Sequence, residues 1–198
     1  PSNGNTITTC GIRTDGAMMC WGENGYGQLG DGTTTRSTSP VLIPGGYTWS
    51  DLSVGEGWVC GIRTDNILMC WGRNNAGQLG DGTNTQRPTP TLVSGVYRWD
   101  QVTAGAETTC GIRTNGIGMC WGSGSHWQKG IPADPTPYLP TAISSSIYWK
   151  ELATGVGRTT CGITTDHKLY CWGYCAYNVC TGGAAGLSQL PFFISSGY

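Results

Sequence analysis

Four times in 198 residues the chain writes nearly the same line. CGIRTDGAMMCWGENGYGQLGDGT runs from Cys10 to Thr33, and CGIRTDNILMCWGRNNAGQLGDGT runs from Cys60 to Thr83. CGIRTNGIGMCWG begins at Cys110 and CGITTDHKLYCWG at Cys161. The openings are 50, 50 and 51 residues apart. A fixed period of this size means one supersecondary unit that buries its apolar face only by stacking on neighbours. The repeats divide a single domain, 1–198, at approximately 1–46, 47–96, 97–147 and 148–198.

Within a unit, short alternating apolar runs are punctuated by Gly, Asn, Asp and Pro, the pattern of short antiparallel strands. In the second unit Trp49–Val54 reads as strand one, Trp58–Ile62 as strand two and Leu68–Trp71 as strand three. Thr91–Val93 reads as strand four, after a long loop. Composition agrees with an all-β chain: 33 Gly, 9 Trp and 12% charged residues suit turns and sheets rather than helical bundles.

The cysteines set the hairpin register. If strands two and three pair with Cys60 opposite Cys70, the centre falls on Asp65 and the loop has an odd number of residues. A three-residue loop with one residue at positive φ fits. That residue is Gly16, Asn66, Gly116 and His167 in the four units, types that tolerate the left-handed region. Directly opposed residues bring their β-carbons within disulfide reach. Spacing therefore predicts bonds Cys10–Cys20, Cys60–Cys70, Cys110–Cys120 and Cys161–Cys171, with Cys175 and Cys180 left to pair as a staple near the end. Zinc sites pair cysteines two to four residues apart, whereas these pairs enclose nine. Ten cysteines in this arrangement point to an oxidising compartment and a secreted protein. No signal peptide is visible at Pro1, so the chain reads as a mature or excised segment.

GQLGDGT, at Gly27–Thr33 and Gly77–Thr83, has the glycine density of a phosphate loop but opens no helix, so it reads as a compact turn. Gln and Asp side chains satisfy its backbone, and Leu29 or Leu79 plugs the core. Trp49, Trp99 and Trp149 head strand one, and Trp21, Trp71, Trp121 and Trp172 end strand three. At fixed repeat positions they read as packing between units.

The line CGIRTDGAMMCWGENGYGQLGDGT resembles the repeat of the regulator of chromosome condensation family, and the resemblance runs through the whole chain. It implies a four-stranded β-propeller blade per repeat, in a compact ring or an open arc with disulfide-stapled hairpins. The cysteine-bearing CWG variant resembles secreted members. Family roles include a nuclear guanine-nucleotide exchange factor, a plant ultraviolet receptor and a secreted bacterial β-lactamase inhibitor. Such propellers usually close with seven blades, and four repeats depart from that. The chain opens on strand two, which leaves the first unit without its Trp-led strand and the total at fifteen strands. Three explanations stay open: a cut from a longer propeller, imperfect closure, or head-to-tail packing of copies.

For function, net charge −1 without a basic run excludes a nucleic-acid footprint, and the short apolar runs exclude a membrane-inserted helix. The carboxylates mostly fill repeat-equivalent turns, the thiols are spoken for, and neither histidine has a defensible nucleophile, so no enzyme, cofactor or metal is expected. A nuclear exchange role conflicts with so many paired cysteines. The repeats disagree in two loops, Gly122–Pro140 and Gly173–Gly186, which carry Trp127, Tyr138, Tyr174 and Tyr177 as candidate binding residues for an extracellular protein or glycan. Plain repeat decay is the competing reading of those loops. The tracts TTTRSTSP and RPTPT offer Thr33, Thr34, Thr35, Thr38, Thr89 and Thr91 as candidate O-glycosylation sites. Together these features favour a non-catalytic extracellular protein whose partners are copies of itself, with soluble ligand binding as the alternative.

Overall fold

The computed structural model describes residues 7–131, 138–155, 157–175 and 186–196. These form fifteen strands in four antiparallel sheets, each running in chain order from an inner to an outer strand. Blade one holds β1 (Thr8–Ile12), β2 (Met18–Gly22) and β3 (Ser37–Leu42). Blade two holds β4 (Trp49–Val54), β5 (Trp58–Arg63), β6 (Leu68–Gly72) and β7 (Arg87–Leu92). In blade three these become β8 (Trp99–Ala104), β9 (Thr108–Arg113), β10 (Gly118–Gly122) and β11 (Thr141–Ala142). Blade four has β12 (Trp149–Thr154), β13 (Thr159–Thr164), β14 (Lys168–Cys175) and β15 (Gly186–Ser196).

The hairpin register is the one the cysteine spacing dictates. Cys10 faces Cys20, Cys60 faces Cys70, Cys110 faces Cys120 and Cys161 faces Cys171, and all four pairs are disulfide-bonded. The turn residues at positive φ are Gly16 at 83°, Asn66 at 64°, Gly116 at 82° and His167 at 61°. Asn66 stabilises its own turn further by donating from Nδ2 to the carbonyl of Trp99, 3.0 Å away in the next blade. The predicted staple between Cys175 and Cys180 lies outside the described residues, apart from the Cys175 backbone in β14.

The outer strand is longer than the apolar run alone suggests. It begins at Arg87 and passes through Pro88 and Pro90, rather than starting at Thr91. Proline is tolerated there because an outer strand has no further neighbour to receive its N–H. Half of the first threonine-rich tract and all of the second are therefore edge strand and not loop: Thr38 lies in β3, and Thr89 and Thr91 lie in β7.

The core sits between blades. Trp71, Trp121 and Trp172 are fully buried, and each indole N–H donates at 3.0 Å to the backbone carbonyl of Gln28, Gln78 or Gln128 in the preceding blade. Each also packs on the Trp that heads its own blade, with ring centroids 5.6, 5.5 and 5.4 Å apart. This explains the Gln-Leu-Gly text. The Gln carbonyl satisfies an indole, Leu29 and Leu79 plug the gap at 0% exposure, and the following glycine leaves room for the ring. A β-carbon at Gly30 would stand 2.6 Å from Trp71 Nε1. Inner strands are tied by side chains. Asp51 Oδ2 and Ser53 Oγ accept from the amides of Val102 and Ala104, and Gln101 Oε1 and Thr103 Oγ1 accept from Leu152 and Thr154.

Candidate functional site

Each seam between blades is built by one turn. In blade one, Asn24 is wholly buried; its Oδ1 accepts from the Leu29 amide at 2.8 Å, and its Nδ2 donates to the carbonyls of Thr33 and Thr35. Gln28 Oε1 accepts from the amide of Tyr26. Asn74 and Gln78 repeat both devices in blade two. In blade three only the Gln device survives: Gln128 Oε1 accepts from the His126 amide, while Gly124 stands where the Asn was and Lys129 where the Leu was. Sequence reasoning credited this turn to Gln and Asp and missed the two asparagines. Their signal was present, an Asn four residues ahead of the Gln in both complete motifs.

Blade two adds an ion pair to the aspartate of this framework. Asp81 accepts from the Thr83 amide and hydroxyl, from Asn74 and from Arg87 Nε at 2.8 Å. Burial works to raise its pKa, but these donors outweigh burial and hold it below the usual carboxylate value. Asp51, between the inner strands, goes the other way. Its burial raises its pKa, only partly offset by the amides of Val102 and Leu52.

The three seams present equivalent rim positions with different chemistry. At the first, Arg73 lies 5.8 Å from the centroid of the Tyr26 ring. At the second, Ala76 replaces the ring and Glu107 pairs with Arg73 at 3.7 Å. At the third, His126, Gly157, Arg158 and Tyr174 line a surface depression. Arg158 Nη1 stands 3.2 and 3.1 Å from the two ring nitrogens of His126, and Tyr174 meets His126 edge-on at 5.9 Å. Arg158 itself adopts φ 63°, in the turn between β12 and β13.

The aromatic candidates separate. Trp127, at φ 62°, takes the turn position that Gly27 and Gly77 hold in the other seams, next to His126. Tyr174, 48% exposed, lines the depression at the third seam. Tyr138 lies elsewhere, packed on Gly77 in the seam between blades two and three, as Pro88 packs on Gly27 one blade earlier. Tyr177 lies outside the described residues. Among the threonines, Thr33, Thr34, Thr35, Thr38 and Thr89 are exposed. The hydroxyl of Thr33 donates to Asp31 Oδ1, and that of half-buried Thr91 donates to the Thr89 carbonyl.

The first blade differs from all later ones. Trp21 is only partly buried, and among the described residues its indole N–H meets no turn carbonyl. Ile7, at the head of the same blade, is 66% exposed.

The profile of the regulator of chromosome condensation (RCC1) repeat matches residues 15–62 and 66–112. Curated protein sequences give no match. Among solved structures the chain is similar to human WBSCR16, with TM-score 0.84 at 20% identity over 95% of this chain and 50% of that one. It is similar to yeast RCC1 (Prp20) with Kap60 bound, with TM-score 0.82 at 20% identity over 96% and 47% of the two chains. The entire ectodomain of the Physcomitrella patens receptor kinase CR4 follows with TM-score 0.56, 20% identity, and 90% and 42% coverage. The chain spans about half the length of these structures.

Proposed function

We propose that this chain, built of RCC1-type repeats, is a secreted, non-catalytic interaction module that associates head to tail with copies of itself through its terminal blade faces. A propeller of such repeats is a scaffold for protein interaction, and fold alone goes no further. Secretion is supported by four hairpin disulfides, which persist in oxidising compartments. It is also in keeping with the likeness to a receptor ectodomain, while yeast RCC1, with Kap60 bound, is an example of a relative that engages another protein.

Trp21 carries the proposal for self-association. Three equivalent indoles are fully buried against a neighbouring turn, and this one stands half open beside exposed Ile7. An apolar face of this kind, in line with three filled seams, suits a heterologous contact that builds rings or filaments. The test is native size, by light scattering and electron microscopy of the non-reduced chain. Rings or filaments that dissolve on Trp21→Arg are expected. A monomer at every concentration would sink the reading, and a larger parent polypeptide would place these repeats inside a longer ring.

A second reading is favoured by the depression at the third seam. Among the described residues Arg158 has no carboxylate partner, whereas Arg73 has Glu107. An acidic group on an extracellular protein or glycan suits the site, flanked by Tyr174. Loss of ligand capture on Arg158→Ala, with size unchanged, is the outcome that would favour this reading.

A further inference from the structure

Each seam has a second edge, where the hairpin turn of one blade meets the head of the next blade's inner strand. At the second seam this edge is closed and its cation is neutralised. Arg63 pairs with Asp65 at 2.6 Å. Asn66 Nδ2 reaches across to the Trp99 carbonyl at 3.0 Å and to Asp100 Oδ1 at 3.5 Å. At the first seam Arg13 pairs with Asp15 at 2.8 Å, and uncharged Ser50 follows the heading Trp.

Three replacements change the third seam. Asn115 stands where Asp15 and Asp65 stand, Gly116 where Asn66 stands, and Lys150 where Ser50 and Asp100 stand. Asn115 keeps the structural bond of the turn: its Oδ1 accepts from the Ile117 amide at 3.3 Å, as Asp65 Oδ1 accepts from Ile67 at 3.4 Å. Only the charge is gone. Arg113 lies 4.4 Å over the Tyr97 ring, which holds its guanidinium in place. Among the described residues neither Arg113 nor Lys150 has a carboxylate partner. Gly116 adds no side chain, and the edge is a depression of about 410 Å³ lined by both cations with Asp100, Gln101, Thr114 and Trp149. Among the described residues the Thr114 hydroxyl is unpaired, whereas that of Thr64 meets Thr48 at 2.7 Å. Arg113 Nε and Trp149 Nε1 are buried without an acceptor among the described residues, so the place is rich in donors and short of acceptors. Both blades that meet here are complete four-stranded sheets, and what closes this edge at the other seams comes from the meeting blades themselves.

We infer that this edge of the third seam binds an acidic sugar through its carboxylate. The guanidinium fork of Arg113 and the ammonium of Lys150 hold the carboxylate by charge-assisted hydrogen bonds. Asp100 decides between a sugar and a bare anion. Its carboxylate only repels an inorganic anion, but it accepts hydrogen bonds from the hydroxyls of a sugar. Thr114 and Gln101 Nε2 donate to the same hydroxyls, the Gln101 Oε1 being spent on the Leu152 amide. The volume is that of a small-ligand site. It lies at the opposite end of β12 from Arg158, so the inference goes beyond both readings above and is independent of them.

The test is a titration of the isotope-labelled, disulfide-intact chain with sodium glucuronate, followed by backbone amide shifts. Saturable shifts are expected at Thr114, Gly116 and Lys150, with glucose, which lacks the charge, bound about tenfold or more weakly. Asn115→Asp restores the ion pair that Arg13 and Arg63 make, and Lys150→Asp restores the charge of the second seam. Each is expected to weaken glucuronate about tenfold or more. Both place a residue that the fold already accepts at a sister position, so register and disulfides should be unchanged. No saturable shift, or equal affinity in the Asn115→Asp chain, would overturn the inference. Sulfate or a glutamate-bearing peptide bound as tightly as glucuronate would overturn it too, as an anion site blind to the sugar.

Discussion

Blades one and two are written in almost the same letters and live in different surroundings. CGIRTD and MCWG occur in both, with the same register and the same disulfide. In blade two the β5–β6 hairpin is buried from Trp58 to Ile62 and from Leu68 to Gly72, whereas β1 is partly open along its length. Cys60 and Cys70 are both sealed at 0% exposure, but Cys10 is only partly covered. Trp71 has a turn carbonyl and a packed indole, and Trp21 has neither among the described residues. Conformation in this repeat is thus a local property of its letters, while burial is given by the neighbours. Stability should follow the neighbours.

The largest effect that would break this comparison is at the tryptophans. Trp71→Ala is expected to cost about 3–5 kcal/mol in equilibrium unfolding, through a lost buried ring and an orphaned carbonyl. Trp21→Ala, partly solvated from the outset, is expected to cost about 1 kcal/mol or less in the monomer. Equal losses would mean that the face of blade one is covered.

The disulfides come next. All four enclose loops of the same sequence separation, 10, so loop-closure entropy assigns each about 3 kcal/mol. Access therefore decides the order of reduction. Under native conditions with a mild thiol, Cys10–Cys20 is expected to open first and Cys60–Cys70 well after it, read by alkylation and peptide mass. Simultaneous opening would show that reduction follows global unfolding.

The smallest effects are with acid, and two carboxylates of blade two should move in opposite directions. The folded pKa of Asp81 is lowered, so its contribution is present above the usual carboxylate value near about 4 and is lost as pH falls through the folded value. The folded pKa of Asp51 is raised, so its ionised form costs stability at neutral pH, and that cost is relieved as pH falls. Asp81→Asn should shrink the stability difference between pH 7 and the acid side, and Asp51→Asn should widen it. Shifts of the same sign in urea titrations would contradict the assignment. Blade one supplies the contrast, since Ser37 stands where Arg87 reaches Asp81.

Legibility in the sequence follows the same division. The cysteine register, the turn residues Asn66 and His167, and the plugging role of Leu29 and Leu79 were readable because each is decided within one repeat. The extension of β7 through Pro88 was not, since propensity argues against it and only the strand's outer position permits it. The contact between His126 and Arg158 was also hidden. It joins residues 32 apart from different repeats, and it exists only because a turn of blade three abuts a hairpin of blade four. Tyr138 and Trp127, neighbours in one variable loop, were separated by the same geometry. The ties from Asp51 and Ser53 to the next inner strand, at a constant separation of 51, would require a blade order before they could be sought.

The hairpin disulfides also govern how this chain responds to being pulled. Tension applied along the backbone reaches Cys60 and crosses to Cys70, whose α-carbons are 4.1 Å apart, without entering the nine residues between. Each hairpin so bridged withholds roughly 30 Å of extended chain from the stretch. A tug that peels the blades apart leaves four small loops slack, each with its two strands still in register. When the tension ends, the sheets have only to regain their inner and outer strands, because the pairing at the centre of every blade was never released.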